Sequence, residues 1–263
     1  MHVDLFDRYQ SGQSLLHRLD PRVKVILAVL YIVSNVVLPD GAWLAFSLAW
    51  GIVLIASTSA GLGPAYAVKR SFVALPFFLA GISAVFAIPG QAIGSFNFGP
   101  WHLVATDTGL VRFLSIVVRS WLSVQMAILL TATTLFPDLI HALRHMRVPQ
   151  VLVSIVGFMY RYLFVLTDEA MRLVRARQAR SAGAGDKTGG GAFFWRARVT
   201  GNMAGQLFLR SYERSDRVYA AMLARGYEGH LLTLNPHQMQ TSDWLLGSLV
   251  VMLLLLLQLI ARI

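Results

Sequence analysis

A chain of 263 residues with only 14% charged side chains falls well below the roughly 25% of soluble domains. Yet 23 Lys+Arg against 13 Asp+Glu leave it at net +10, and 56% of it is apolar. This excludes an ordinary soluble core and points to membrane insertion with a concentrated basic surface; the lack of any cysteine excludes disulfides, thiolate metal sites and Cys nucleophiles.

Met1 to Lys24 carries Asp4, Asp7 and Asp20 and lacks the short apolar core and small-residue cleavage site of a signal peptide. A spanning helix needs about 20 mostly apolar residues. Five runs approach that: Val23–Leu38, Ala42–Ser59, Phe72–Ile88, Gly109–Leu135 and Trp244–Ile260. The first is short, bounded by Lys24, which is free to snorkel, and by the turn Pro39-Asp40-Gly41. The fourth contains Arg119, which is costly in lipid and is expected to face protein or the interface. Gly61-Leu62-Gly63, Ala80, Gly81 and Ala84 allow close helix contact.

Basic residues alternate between connections. Arg8, Arg18, Arg22 and Lys24 precede the first run, and Lys69 and Arg70 lie in the second connection. The first turn and the segment Pro89 to Thr108 have none. This pattern predicts a cytoplasmic N-terminus, a multi-pass chain with five spans and an external C-terminus. The expected fold is an all-α integral membrane protein. Residues 1–135 form a four-span membrane domain, 136–243 a cytoplasmic module, and 244–263 a final spanning helix.

Fourteen of the Lys+Arg residues fall between Pro137 and Asp243. Phe136-Pro137-Asp138 opens a short helix, with Asp138 at the positive end of its dipole. Pro149 suits the first position of the next helix. Leu152, Ile155, Val156, Met159, Leu163 and Leu166 recur at helical spacing to about Arg180, with Arg161, Asp168, Arg172 and Arg175 on the other side. Asp168 and Arg172 have the spacing of an ion pair. We expect Val148–Thr167 to lie partly in the inner leaflet, since Arg161 interrupts its apolar run. A Gly-rich linker follows near 182–192. A second long helix runs from about Phe193 to Arg225, with a break expected near Gly201 or Gly205, a Glu213–Arg217 pair, and Gly226 as its stop.

Both long helices therefore end in a small–Arg–small tripeptide: Ala179-Arg180-Ser181 and Ala224-Arg225-Gly226. Ordinary capping accounts for either one alone. As a pair closing two basic helices, they leave two guanidinium groups unobstructed for bidentate bonding in an acidic groove.

These features together resemble the T component of energy-coupling factor transporters, in its cobalt-type, CbiQ-like branch. Leu19-Asp20-Pro21-Arg22-Val23-Lys24 is similar to the family's Asp-Pro-Arg-x-Lys signature, and Thr133-Thr134-Leu135-Phe136-Pro137-Asp138-Leu139 to the segment ahead of its cytoplasmic module. The run Tyr160–Glu169 resembles the cobalt-type long helix, and the two tripeptides resemble the paired x-Arg-x coupling motifs. The resemblance implies a non-catalytic subunit of a bacterial or archaeal cytoplasmic-membrane importer for cobalt or nickel, with no cofactor of its own. It implies two CbiO-like ATP-binding-cassette ATPases that hold ATP and Mg and dock on Arg180 and Arg225. It implies a CbiM-like substrate-binding membrane subunit that holds cobalt, and a small CbiN-like accessory membrane protein.

Other chemistry has little support. His141 and His145 share a helix face and could share an ion, but Arg144 and Arg147 oppose a cation there, and His2 is a lone terminal histidine. No Gly-x4-Gly-Lys-Ser/Thr or Gly-x-Ser-x-Gly motif occurs, and the five runs hold no carboxylate for a proton relay. Regular aromatic interleaving for nucleic acid is missing, so no nucleic-acid partner is expected, whereas Arg161, Arg196 and Arg198 suit the anionic lipid bilayer. The competing reading is an integral-membrane enzyme binding a lipid or isoprenoid phosphate. It lacks the paired carboxylates for Mg²⁺, since Asp168-Glu169 is the only adjacent acidic pair.

Overall fold

The computed structural model describes residues 9–12, 14–98, 101–181, 193–229 and 239–262. His2 and the Gly-rich linker lie outside them. The chain divides into two compact units, one of Phe6–Met146 with Asn235–Ile263, the other containing Arg147–Leu234.

The first unit begins with a one-turn helix, α1 (Leu15–Arg18), capped by the Ser14 side chain. In α2 (Pro21–Val37), Pro21 takes the first position, where its missing N–H costs nothing, and the Asp20 carboxylate caps the Arg22 N–H at 2.9 Å. Next come α3 (Trp43–Ser59), α4 (Pro64–Arg70), a 3₁₀ turn (Ser71–Ala74) and α5 (Leu75–Ala87). Strands β1 (Ala92–Phe98) and β2 (Trp101–Thr106) form an antiparallel hairpin between α5 and the 27-residue α6 (Asp107–Thr133). The unit closes with α7 (Phe136–His145) and α10 (Thr241–Ile260).

Among the described residues, three helices are long and apolar enough to cross a membrane: α6, the Gln150–Arg180 stretch of α8 (Gln150–Ser181) in the second unit, and α10. Counted as one broken or re-entrant span, the pair α3 and Pro64–Ala74, bent by 113°, brings the number to four. The expected spans at Val23–Leu38 and Phe72–Ile88 coincide with helices of 17 and 13 residues, below the length of about 20 that a spanning helix needs. The 3₁₀ turn, followed by Pro76, takes the first turn of the expected third span.

Tyr31, Leu38, Phe46, Val53, Leu122, Leu254 and Leu257 form the core between α2, α3, α6 and α10. Ala45 and Ala49 of α3 are buried in this core, and the Tyr31 hydroxyl of α2 donates to the Ala49 carbonyl at 3.0 Å. Between α5 and α6 the backbones nearly touch. A Cβ on Gly109 would lie 2.6 Å from the Val85 carbonyl oxygen. Large apolar side chains such as Val33, Ile55, Leu79 and Leu245 point outward, as a lipid-facing surface requires.

Polar groups within this unit are tied to neighbouring helices. Arg119 donates to the Leu38 carbonyl and to Asp40 Oδ1 at 2.7 Å, so it faces protein at the α2–α3 turn. Asn35 Nδ2 donates to the Arg119 carbonyl and Ser123 Oγ, and Gln258 Nε2 to the Ser34 carbonyl and hydroxyl. Two exceptions among the described residues are the Thr134 hydroxyl and Gln125 of α6, which is fully buried and whose amide has no hydrogen-bond partner there.

The second unit is a pair of long helices, α8 and α9 (Phe193–Ala224), each of 32 residues. The expected break near Gly201 or Gly205 does not occur, because both glycines sit on an exposed part of a continuous helix with open space around them. Pro149 stands one position ahead of the expected site. Its carbonyl already accepts from the Val153 N–H at 3.3 Å, which makes it the cap of α8.

Candidate functional site

The two expected tips sit where the helices end. Ala179, Arg180 and Ser181 form the last turn of α8, and the Arg180 side chain is exposed. Ala224 is the last residue of α9, followed by Arg225 and Gly226. Gly226 adopts φ +79°, a left-handed conformation that a Cβ would strain. Its N–H bonds the Leu223 carbonyl at 3.0 Å, and the Tyr227 N–H bonds the Met222 carbonyl at 3.0 Å. The chain therefore turns sharply immediately after Arg225, leaving that side chain exposed. Neither Arg180 nor Arg225 has an ion-pair partner among the described residues.

The helices run in opposite directions. Ser154 Oγ donates to the Gly229 carbonyl at 3.5 Å, the Phe158 and Tyr227 rings meet edge-on with centroids 6.4 Å apart, and Glu169 of α8 pairs with Arg210 of α9. Tyr227 thus fixes the Arg225 tip near Phe158. At 1.5 Å per residue, the stretch of α8 from Phe158 to Arg180 places the other tip about 33 Å away. Antiparallel packing is what separates two motifs that each end a helix.

Between the helices lies a groove of about 730 Å³, lined by Ile155, Met159 and Leu166 of α8 and by Phe208, Tyr212 and Tyr219 of α9 among others. The apolar periodicity predicted for α8 supplies this lining. The expected Asp168–Arg172 pair is replaced. Arg172 lies 3.9 Å from Glu169, one turn back, because Glu169 faces α9 and gathers both Arg172 and Arg210. The expected Glu213–Arg217 pair forms at 4.0 Å. With Glu169 held by two arginines and Asp168 exposed, the adjacent carboxylates do not converge on a cation position.

A second polar assembly lies in the first unit. Lys24 does not snorkel. It is buried, and its Nζ donates to the carbonyls of His17 at 3.2 Å and Thr133 at 3.1 Å. Those carbonyls are left over at the ends of α1 and α6, so an ammonium satisfies them without reaching water. Asp20, Asp138 and Asp243 are the carboxylates whose charge acts on Lys24. Asp243 caps α10 by accepting the Gln240 N–H at 2.9 Å, and it also accepts the Asp20 N–H at 3.4 Å. The motif Asp20-Pro21-Arg22-Val23-Lys24 thus joins α1, α2, α6 and α10. Sequence reasoning missed Asp243, whose only local signal is an acid in the first turn of the last helix.

His141 and His145 stack with centroids 4.8 Å apart, and His145 Nδ1 lies 3.2 Å from the His141 carbonyl oxygen. Among the described residues no three His, Cys, Asp or Glu side chains gather as a metal site.

Comparison with known proteins matches residues 12–237 to the CbiQ family, described as cobalt transport protein. The chain is 28% identical over 238 residues to the energy-coupling factor transporter transmembrane protein EcfT of Lacticaseibacillus paracasei, covering 86% of this chain and 85% of that one. It is 27% identical over 259 residues to an uncharacterised protein of Methanocaldococcus jannaschii, covering 96% and 85%. It is 28% identical over 166 residues to a putative fused cobalt transport protein, CbiMQ, of Methanocorpusculum labreanum, covering 60% of this chain and 26% of that one.

Proposed function

The chain belongs to the CbiQ cobalt transport family, a multi-pass membrane component of energy-coupling factor transporters, and from that premise we propose that it couples ATPase motion to cobalt or nickel import. Arg180 and Arg225 are the contacts for two CbiO-like ATP-binding-cassette ATPases. A guanidinium at a helix tip offers a planar fork to a carboxylate in the partner's groove, and small neighbours keep the approach open. The observation that carries this reading is the placement of two exposed arginines, without an ion-pair partner among the described residues, at opposite ends of an antiparallel helix pair, about 33 Å apart along α8. That separation suits one tip per ATPase in a dimer.

The chain supplies no chemistry of its own in this reading. ATP and Mg belong to the ATPases, and the transported ion to a CbiM-like membrane subunit. A CbiN-like accessory protein completes the complex. The fused CbiMQ relative supports the pairing, since its name joins a CbiM part to a CbiQ part in one chain. The N-terminus and the second unit face the cytoplasm, with the tripeptides Ala179-Arg180-Ser181 and Ala224-Arg225-Gly226 toward the motor. When the ATPases close, they draw the tips together, and α8 and α9 pass that displacement to the substrate subunit.

Arg180→Glu combined with Arg225→Glu tests the reading. Loss of ATPase co-purification and of uptake, with membrane insertion intact, is the expected result. Full uptake by the double variant refutes it.

A further inference from the structure

α2 and α10 run side by side in the same direction. Near their starts they are close. The Asp20 N–H donates to Asp243, and a Cβ on Gly247 would lie 3.6 Å from Val23 Cγ1. Toward their C-terminal ends a groove of about 660 Å³ opens between them. Leu254, part of the core, forms its floor, and Val33, Val37, Leu255 and Leu259 form exposed apolar walls. Gln258 Nε2 ties the two walls by donating to the Ser34 carbonyl and hydroxyl. Ser34 Oγ accepts in that bond and keeps its own hydrogen to donate.

The dimensions suit a lipid chain. From Val251 to Arg262 the groove follows α10 for about 16 Å, close to half of the roughly 30 Å hydrocarbon thickness of a bilayer. It is thus about one leaflet deep and lies along the helices, as acyl chains do. Spread over that length, its volume gives a section of about 40 Å², against about 80 Å² or more for a helix 10–12 Å across. A hydrocarbon chain, whose carbons pack at about 3.5–4.0 Å, fits within it, and a whole helix does not. Arg262 stands at the open end, exposed and with no ion-pair partner among the described residues. Beyond the same end of α2, Asp40 is already held by Arg119 and, at 3.8 Å, by Arg112.

We propose that this groove binds an anionic phospholipid of the surrounding bilayer. One acyl chain lies along the apolar walls, an ester carbonyl accepts from the Ser34 hydroxyl, and the phosphate rests on Arg262. Gln258, which holds Ser34, is four residues before Arg262, so the two polar levels are about 6 Å apart along the axis. That order, a cation at the interface and a hydroxyl donor one turn deeper, follows the order of groups in a phospholipid. A guanidinium offers the phosphate two parallel N–H bonds. The chain fills the space where the two helices part, and its contacts join α10 to α2 there. The proposal needs only residence in a membrane and is independent of the coupling role given above.

The test uses the full-length protein in nanodiscs of equal parts phosphatidylglycerol and phosphatidylcholine. Each lipid in turn carries a photoactivatable acyl chain, and the adducts are mapped. The expected adducts fall on Leu30–Val37 and Val251–Leu259, with phosphatidylglycerol favoured about fivefold. Arg262→Gln should abolish that preference, and Arg262→Lys should keep it. Leu255→Trp fills the groove and should remove the adducts, whereas Leu245→Trp, exposed on the same helix outside the groove, should not. Adducts spread evenly over the apolar surface, or a preference unchanged in Arg262→Gln, overturn the proposal. The chain has no cysteine, so Leu255→Cys provides a single cross-linking point in vesicles of the complete complex. A cross-link from it to a helix of another subunit, with no lipid adduct in the groove, also overturns the proposal. None of these readouts involves ATPase docking, so their failure leaves the coupling reading standing.

Discussion

Lys24 donates from Nζ to the carbonyl of Thr133 at 3.1 Å, joining the start of α2 to the end of α6 across 109 positions of sequence. The same ammonium reaches the His17 carbonyl, and Asp20 and Asp243 lie buried around it. An ammonium removed from water here is compensated by leftover helix carbonyls and nearby carboxylates. Lys24→Met keeps the length of the side chain and removes the charge. It should cost about 3 kcal/mol, because buried carboxylates lose their counter-charge. Thermal unfolding of the detergent-solubilised protein reads this directly. A midpoint within error of the unchanged chain contradicts the account.

Asp243 carries two backbone N–H groups, those of Gln240 and Asp20. Asp243→Ala should lower stability by about 2 kcal/mol, and Asp243→Asn by less, since an amide oxygen still caps a helix. Hydrogen exchange should localise the change to the first turns of α10 and α2. Protection lost uniformly across the first unit would argue against a local clasp.

Gln125 presents the opposite case. It is buried at 0% exposure, and neither its Nε2 nor its Oε1 has a partner among the described residues. Gln125→Met has similar volume and removes two unsatisfied atoms, so it should raise stability by about 1–2 kcal/mol. A lowered melting midpoint in this variant would contradict an unsatisfied amide.

Much of the arrangement is legible in the residues themselves. The apolar periodicity of α8, the Gly226 stop after Arg225 and the apolar run of α10 each specify an element from local information. Arg119 is readable as protein-facing because lipid forbids the alternative. The remainder depends on contacts between distant segments. Arg172 has acids at both three and four residues before it, and the choice of Glu169 over Asp168 is decided by Arg210 on another helix. Lys24 reads as a snorkelling residue until the ends of α1 and α6 supply carbonyls. The β1–β2 hairpin lay hidden in a segment recognised only by its lack of basic residues.

Tyr227 follows the left-handed Gly226 and meets Phe158 with ring centroids 6.4 Å apart. Tyr227→Ala should release the Arg225 tip, at a cost of about 1 kcal/mol beyond lost burial, whereas Tyr227→Phe keeps the ring contact. Limited proteolysis after Arg225 should accelerate in the first variant and not in the second. Equal rates in both would show that the ring contact does not hold the tip.

The central claim is that the two arginine tips grip a nucleotide-driven partner. Photo-cross-linkers placed at Ala179 and Ala224, beside Arg180 and Arg225, address it in intact vesicles of the complete complex. The account predicts an adduct from each position to an ATP hydrolase, with Arg180→Glu or Arg225→Glu weakening its own adduct at least about tenfold. Adducts confined to other proteins or to lipid, with none to an ATPase from either position, would contradict it.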